Sequence, residues 1–480
     1  MTAFFAFLAF VLYFMVRMLQ SRAPRREEQK VRQSLAQALK SRRTANLPAL
    51  AKLYGVGLGT LLEGVEPRGG RYHFKSGNRD SLFWTTFLLS RTVDGPIIKG
   101  NVPIVNRQAM SDRENWKTRE RKTMDIKITR TTSPRPKPAD PTKLGFGTVF
   151  TDHMFTMDYD TERGWHDAEI VPLDDLRIHP GAAVFHYGAE VFEGLKAYRT
   201  EDGSVQLFRP MDNMQRMRDS AERIQLPDFD PDFLLSALLQ LVALDQEWTP
   251  AVPSASLYIR PFEICTDIDL GLHSIGKAKM LIILSPVGSY LSGGLRPVSI
   301  LIEDQDVRAV RGGTGYAKCG GNYAAANRAA ARAEKKGYSQ VLWLDGVHRK
   351  YIEEVGGMNV MFKIGGKVVT PALTGSVLPG ITRRSCIQLL RDKGLEVEER
   401  LISVDEVMDA LSSGAMEEAW GCGTAAVISP IGSFAYQDKA FTVNGEQIGP
   451  CAQELYDTLT GIQWGRREDP YGWTVKVPKN

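Results

Sequence analysis

The stretch RGGTGYAKCGGNYAAANRAAARAEKKG, residues 311–337, sets one lysine, Lys318, in a glycine-rich turn that runs straight into an alanine-rich helix. A phosphate-binding loop of the form G-x-x-x-x-G-K-[ST] needs glycine before the lysine and a hydroxyl after it. Ala317 precedes Lys318 and Cys319 follows it, so that reading fails. The dinucleotide fingerprint G-x-G-x-x-G has no match in the window either. Two readings remain: an ordinary solvated lysine, or a desolvated amine used in Schiff-base chemistry. The second requires small neighbours so that a flat ring can approach the backbone, which Gly320 and Gly321 provide. It also requires burial that lowers the amine from its usual value of about 10.4.

A pyridoxal ring asks for further partners: a phenol near its oxygen, an acid opposite its ring nitrogen and N–H groups for its phosphate. Tyr323 lies five residues beyond Lys318. Glu353 and Glu354, in IEEVGGMN (352–359), enter a predicted strand after VLWLDG, and a carboxylate there suits the ring nitrogen. LPGITRRS (378–385) opens a predicted helix whose first N–H groups, at Ile381 and Thr382, suit a phosphate. GCGTAA (421–426) is a second short glycine turn and carries the hydroxyl of Thr424.

The totals bound the rest. A chain of 480 residues has room for two or three domains. With 43% hydrophobic and 24% charged residues and a net charge of +4, it has the composition of a globular protein, and its charge predicts no nucleic-acid partner. Five scattered cysteines without metal-ligand spacing fit a reducing compartment better than a disulfide framework. Seven dispersed histidines form no H-x-x-x-H pair, so no metal is assigned.

Residues 3–16, AFFAFLAFVLYFMV, are apolar over 14 positions, short of the roughly 20 that cross a bilayer. Arg17, Arg22, Arg25 and Arg26 follow, so if the segment inserts, everything downstream stays cytoplasmic. Up to Thr123 the chain is basic and irregular, with runs such as SDRENWKTRERKT. At Met124 the character changes: MDIKITRTTSPRPKPADPTKLGFG begins like a free N-terminus, and ordered strands and helices are expected from Phe146 onward. The expectation is therefore an extension over 1–123, dispensable or arising from an upstream start codon, ahead of the folded part.

Further on, RPMDNMQRMRDSAERI (209–224) predicts a helix with Met211, Met214, Met217, Ala221 and Ile224 on its core face. ASLYIRPFEI and KAKMLIILSPVGSY predict strands, the first with Tyr258 and Arg260 on one side. MNVMFKIGGKVVTP predicts a hairpin turning at Gly365 and Gly366. ITRRSCIQLLRDKG predicts a helix ended by Gly394, and Ser403 with Glu406 forms a capping box for the next. Strands adjoining through hairpins favour an α+β fold with mixed sheets over a doubly wound parallel sheet.

In this order the segments resemble the branched-chain amino acid aminotransferases, fold-type IV enzymes that use pyridoxal 5′-phosphate. The resemblance covers about 145–473 and rests on FGTVFTDHMFTMDYD, FHYGAEVFEGLKAYR, FRPMDNMQRM, SLYIRPFEI, KCGGNY, QVLWLDG, EEVGGMN, LPGITRRS and GCGTAA. It implies a homodimer and a two-domain fold: a small N-terminal α/β domain (124–290) and a larger C-terminal mixed α/β domain (291–480) with a barrel-like core. Lys318 is then the Schiff-base lysine and proton shuttle, Tyr323 the partner of the ring hydroxyl, and Glu354 the acid at the pyridine nitrogen. Arg216, the amides of Ile381 and Thr382, and Thr424 would hold the phosphate. Phe146, Phe192, Tyr258, Arg260 and Ala425 would contact substrate, with Tyr187 and Leu272 reaching in from the other subunit.

The implied reaction passes an amino group between leucine, isoleucine or valine and 2-oxoglutarate. An aromatic wall of Phe146, Phe192 and Tyr258 would bury the aliphatic side chain, worth roughly 1.5 to 3 kcal/mol. Tyr187, Tyr258 and Arg260 would hydrogen-bond the distal carboxylate of glutamate. Two departures stand out. Residues 426–429 read AVIS where some animal relatives carry C-x-x-C, so no thiol switch is expected there. Gly357 stands where many relatives have threonine or serine, which opens the pocket. The competing readings are a D-amino acid aminotransferase or aminodeoxychorismate lyase of the same fold, and a membrane-anchored, non-catalytic interaction protein. SLYIRP and EEVGGMN argue against the first two, and retention of Lys318 and Glu354 argues against the third.

Overall fold

The computed structural model describes residues 124–479 apart from 254 and 289–293, together with the backbone of an antiparallel hairpin, β1 (Val65–Arg68) and β2 (Arg71–Phe74). The apolar run at 3–16 and the basic run at 111–123 lie outside the described residues. Among the described residues no helix is long and apolar enough to cross a membrane. Thr123–Asn480 forms one compact unit.

The first half of that unit supplies β3 (Lys127–Ile128), β4 (His153–Asp160), β5 (Gly164–Pro172), helix α1 (Ala183–Tyr187), β6 (Glu190–Phe192), β7 (Leu195–Arg199) and β8 (Val205–Phe208). Helices α2 (Pro210–Ile224) and α3 (Pro231–Leu244) follow, then the long strands β9 (Ser256–Cys265) and β10 (Lys277–Val287). The second half supplies β11 (Val298–Glu303), α4 (Gly320–Lys335), β12 (Gln340–Leu344), β13 (Ile352–Val355), β14 (Asn359–Ile364), β15 (Lys367–Pro371) and α5 (Ile381–Asp392). It ends with β16 (Val397–Arg400), α6 (Val404–Ser413), β17 (Met416–Gly423), β18 (Val427–Tyr436), β19 (Lys439–Thr442), α7 (Pro450–Gln463) and β20 (Thr474–Lys476).

These strands make two nine-stranded sheets. The first runs β20-β8-β7-β9-β10-β4-β5-β3 with β6 beside β9, and only the β3–β5 pair is parallel. Its last strand comes from the far end of the chain, Thr474 pairing with Phe208. The second runs β13-β12-β11-β18-β17-β14-β15-β16 with β19 beside β18, and is mixed: β11 lies parallel to both β12 and β18.

Helix α3 covers the first sheet because its sequence is nearly all apolar between clear signals. Asp230 caps it by accepting the N–H of Asp232 at 2.9 Å, and Pro231 opens it. Leu234, Leu238 and Leu241 are fully buried, each contributing roughly 1.5–3 kcal/mol. On the second sheet Ala329 and Ala333 of α4 pack on Val341 and Trp343, while α5 and α7 enclose Leu389, Leu390, Trp420 and Leu459. The hairpin turns at Gly365–Gly366 as expected, and Gly394 follows the last turn of α5.

Two local expectations need correction. In α2 the buried side is carried by Met214, Met217 and Ala221, whereas Met211 is 37% exposed. The buried arc is displaced toward Asn213, Arg216 and Ser220, polar residues at helical spacing that bond Glu193 and the Lys318 N–H. At α6, Ser403 does accept the N–H of Glu406 at 3.1 Å, but the Glu406 carboxylate turns to Arg400 instead of closing a reciprocal box.

Candidate active site

Lys318 is held from two sides before its amine does anything. Its N–H donates to the Ser220 hydroxyl of α2 at 2.9 Å, and its carbonyl accepts from the N–H of Phe192 in β6 at 3.0 Å. The side chain then reaches into a cavity of about 220 Å³, where Nζ donates to the Tyr323 hydroxyl at 2.8 Å. Nζ also lies 4.8 Å from the centroid of the Phe192 ring, a favourable seat for an ammonium over a π face.

Strand alternation separates the two candidate acids. Glu354 lines the same cavity as Lys318, and Glu353 lines a second one of about 400 Å³, where it accepts from the Ser376 hydroxyl. Glu354 Oε1 accepts from Asn359 Nδ2 at 3.0 Å and from the Leu378 N–H at 3.1 Å, and Oε2 pairs with Arg308. Burial pushes this carboxyl up to about 7, against the pull of Arg308.

Arg216 reaches the cavity from α2, locked by Glu193 between β6 and β7. Nε donates to Oε1 at 2.7 Å and Nη2 to Oε2 at 2.9 Å, a bidentate charge-assisted pair. Burial works against the Glu193 charge, but the Arg216 guanidinium outweighs it and holds the carboxyl below its ordinary value. With Nε and Nη2 committed, Nη1 has only the Pro379 carbonyl at 3.4 Å. Nearby, α5 starts at Ile381 and Thr382, whose N–H groups have no intrahelical acceptor. Thr424 and Ala425 close this end of the cavity, their turn held by Lys196 Nζ donating to the Ala425 carbonyl at 2.7 Å. Lys196 is buried, and burial pulls its ammonium down to about 8.

The remaining wall is aromatic. Phe146 meets Tyr258 edge-on with centroids 5.0 Å apart, and Phe192 lies 5.0 Å from Tyr323. Arg260 lies over Phe192 and Tyr258, at 4.9 Å and 5.3 Å, and donates to the Tyr258 hydroxyl at 3.2 Å. Tyr258 enters the site only because residue 194 is glycine: a Cβ there would lie 2.0 Å from the Tyr258 hydroxyl oxygen. A Cβ at Gly357 would meet nothing nearer than Tyr323 Cε1 at 3.9 Å, so that wall is open.

All candidate residues except two line this one cavity. Tyr187 and Leu272 lie outside it, 44% and 84% exposed, and Phe185, Ile268 and Leu270, close to them along the chain, are exposed as well. Sequence reasoning missed Glu193, Ser220, Arg308, Asn359 and Lys196. The polar spacing of Asn213, Arg216 and Ser220 on α2 was the available sign that this helix buries a functional flank.

A lysine, a phenol, a buried acid and a helix N-terminus meet in one cleft, and comparison with known proteins gives the class to which the chain belongs. Residues 190–434 match the family Amino-transferase class IV. The chain is 53% identical over 352 residues to branched-chain-amino-acid aminotransferase 2 of Bacillus subtilis, covering 73% of this chain and 97% of that protein. Among solved structures it is similar to the Escherichia coli branched-chain amino acid aminotransferase, with a TM-score of 0.58 at 28% identity over 68% of this chain and 99% of that one. The Thermobaculum terrenum branched-chain amino acid aminotransferase in its PLP form shares the fold, with a TM-score of 0.57 at 24% identity over 69% and 100% of the two chains. This chain belongs to the class IV aminotransferases of fold type IV, among the branched-chain-amino-acid aminotransferases.

Proposed function

We propose that the protein moves an amino group between L-leucine, L-isoleucine or L-valine and 2-oxoglutarate, giving the branched 2-oxo acid and L-glutamate, with pyridoxal 5′-phosphate as its cofactor. The reading is carried by the convergence of Lys318, Tyr323, Glu354 and the start of α5 on one cavity whose other wall is aromatic and bears Arg260.

The residues fit that cofactor. Arg216 Nη1, the Ile381 and Thr382 N–H groups and Thr424 would hold the phosphate, Tyr323 the ring hydroxyl and Glu354 the ring nitrogen. When bound, pyridoxal phosphate supplies a carbonyl for amine exchange and a ring able to take up an electron pair. Lys318 Nζ, seated by Tyr323 and the Phe192 ring, moves the proton at the substrate α-carbon. Glu354, with its carboxyl near 7, holds a proton at the ring nitrogen while Arg308 and Asn359 fix its orientation. The turn at Thr424–Ala425 receives the substrate's α-carboxylate, with Lys196 steadying it from behind. Phe146, Phe192 and Tyr258 receive an aliphatic side chain in one half-reaction, and Arg260 with Tyr258 a second carboxylate in the other.

The same reading divides the chain into a small domain over 124–290 and a larger cofactor-bearing domain over 291–480, with 1–123 as an extension the reaction does not use. The two sheets support that division, β20 crossing back to the first. Exposure of Phe185, Tyr187, Ile268, Leu270 and Leu272 supports a homodimer in which Tyr187 and Leu272 complete the partner's cavity. Five free cysteines support a reducing, cytoplasmic setting.

The test is direct. Protein supplied with pyridoxal phosphate should absorb visible light and form 4-methyl-2-oxopentanoate from leucine and 2-oxoglutarate, and Lys318→Ala should lose both. A colourless wild-type protein that leaves leucine unchanged rejects the proposal.

A further inference from the structure

Glu190 and Phe192 stand on the same face of β6, two residues apart. The Phe192 ring carries both the Arg260 guanidinium and the Lys318 ammonium, so Glu190 is on the side of the strand that faces the site's cations. Its carboxylate accepts the N–H of Gly320, the first residue of α4. That seat exists only because residue 320 is glycine, since a Cβ there would lie 2.1 Å from Glu190 Oε1.

Arg260 is short of counter-charge. Among the described residues no carboxylate lies within ion-pair distance of it, and its buried Nε has no acceptor. The field of Arg260 nevertheless reaches Glu190, drawing its carboxyl down against the larger effect of burial, which leaves it above its ordinary value. Glu190 is thus pinned by a helix N–H on the strand face that bears Phe192, outside ion-pair distance of Arg260.

Resting on the reading of Arg260 as the group that receives the distal carboxylate, we propose that Glu190 sets the balance between aliphatic and dicarboxylic substrates. A bare guanidinium would favour glutamate and burden the binding of leucine, whose side chain must lie against it. A full ion pair would abolish the dicarboxylate site. A carboxylate held at intermediate range lets one cavity serve both half-reactions.

Glutarate and 4-methylpentanoate separate this effect from turnover, because they differ at the distal group and share the first carboxylate. Titrated calorimetrically into the pyridoxal-phosphate-loaded enzyme, Glu190→Gln should bind glutarate about threefold more tightly, the scale of one partly screened charge, and 4-methylpentanoate no more tightly than wild type. Glutamine keeps an acceptor for the Gly320 N–H, so the cap survives. In an Arg260→Gln background the same substitution should leave glutarate affinity unchanged. Equal shifts for both ligands, no shift, or a shift that persists without Arg260 overturns the proposal. A wild-type enzyme inert toward leucine would overturn the functional reading instead, and the two titrations would still decide the role of Glu190.

Discussion

Glu353 and Glu354 are neighbours on β13 and open into different cavities, Glu353 toward Ser376 and Glu354 toward Asn359, Leu378 and Arg308. The pairing tests the site with an internal control. Glu354→Gln keeps the shape and removes the acid, so kcat with leucine and 2-oxoglutarate should fall by about 100-fold or more, the scale of a lost acid–base group. Glu353→Gln, one residue away on the other side of the strand, should leave kcat within about twofold. Equal losses would mean that the strand, rather than the carboxyl, is what matters.

The Glu193–Arg216 pair predicts a stability effect with a distinctive double mutant. Both side chains are buried, so removing one leaves the other's charge buried without its ion-pair partner. Glu193→Ala or Arg216→Ala alone should each lower stability by about 3–5 kcal/mol in urea unfolding. The variant lacking both should lose less than the sum, with a coupling of at least about 1 kcal/mol. Arg216→Ala and the double variant should also release pyridoxal phosphate more readily on dilution, because the guanidinium proposed to hold the phosphate is gone in both. Additive losses would show that the pair is not a unit.

What could be read from the chain was set by distance along it. Lys318, Tyr323 and the glycines between them lie within one turn and its helix, and local spacing was enough to place them together. The hairpin at Gly365–Gly366 and the helices opened by Pro210 and Ile381 are likewise local. Glu193 with Arg216, and Arg308 with Glu354, join a connection between strands to a helix or a loop to a strand, and no short motif marks such pairs. The apolar stripe of α2 predicts Met211 on its core face, but the helix buries Asn213, Arg216 and Ser220 instead, and that polar spacing is the one local trace of the Glu193–Arg216 pair. Spacing alone leaves Glu353 and Glu354 open, since adjacency on a strand says they part but not which enters the site; the family resemblance points to Glu354, which shares the cavity with Lys318.

Glu263 carries the prediction with a pH dependence. It sits on β9 between strands β6 and β10, opposite Val191 and Met280, with no exposed surface and no hydrogen-bond partner for either carboxylate oxygen. Burial raises its carboxyl well above the ordinary 4.5. The unfolded chain therefore loses this proton near 4.5 while the folded chain keeps it, and over that window the native state binds more protons than the unfolded one. Stability must then fall as pH rises from 4.5 toward the native value, in contrast to a salt-bridged carboxylate, whose contribution grows with pH. Below about 4.5 both states are protonated and only the cost of an unpartnered polar group remains, about 1–3 kcal/mol. Glu263→Val fits a strand and removes both costs, so it should raise the unfolding midpoint at every pH, and by more at pH 8 than at pH 5. Denaturation of the two proteins at those pH values decides it: a gain that is flat, or larger at pH 5, would mean that this carboxyl is ionised in the folded protein and has a partner after all.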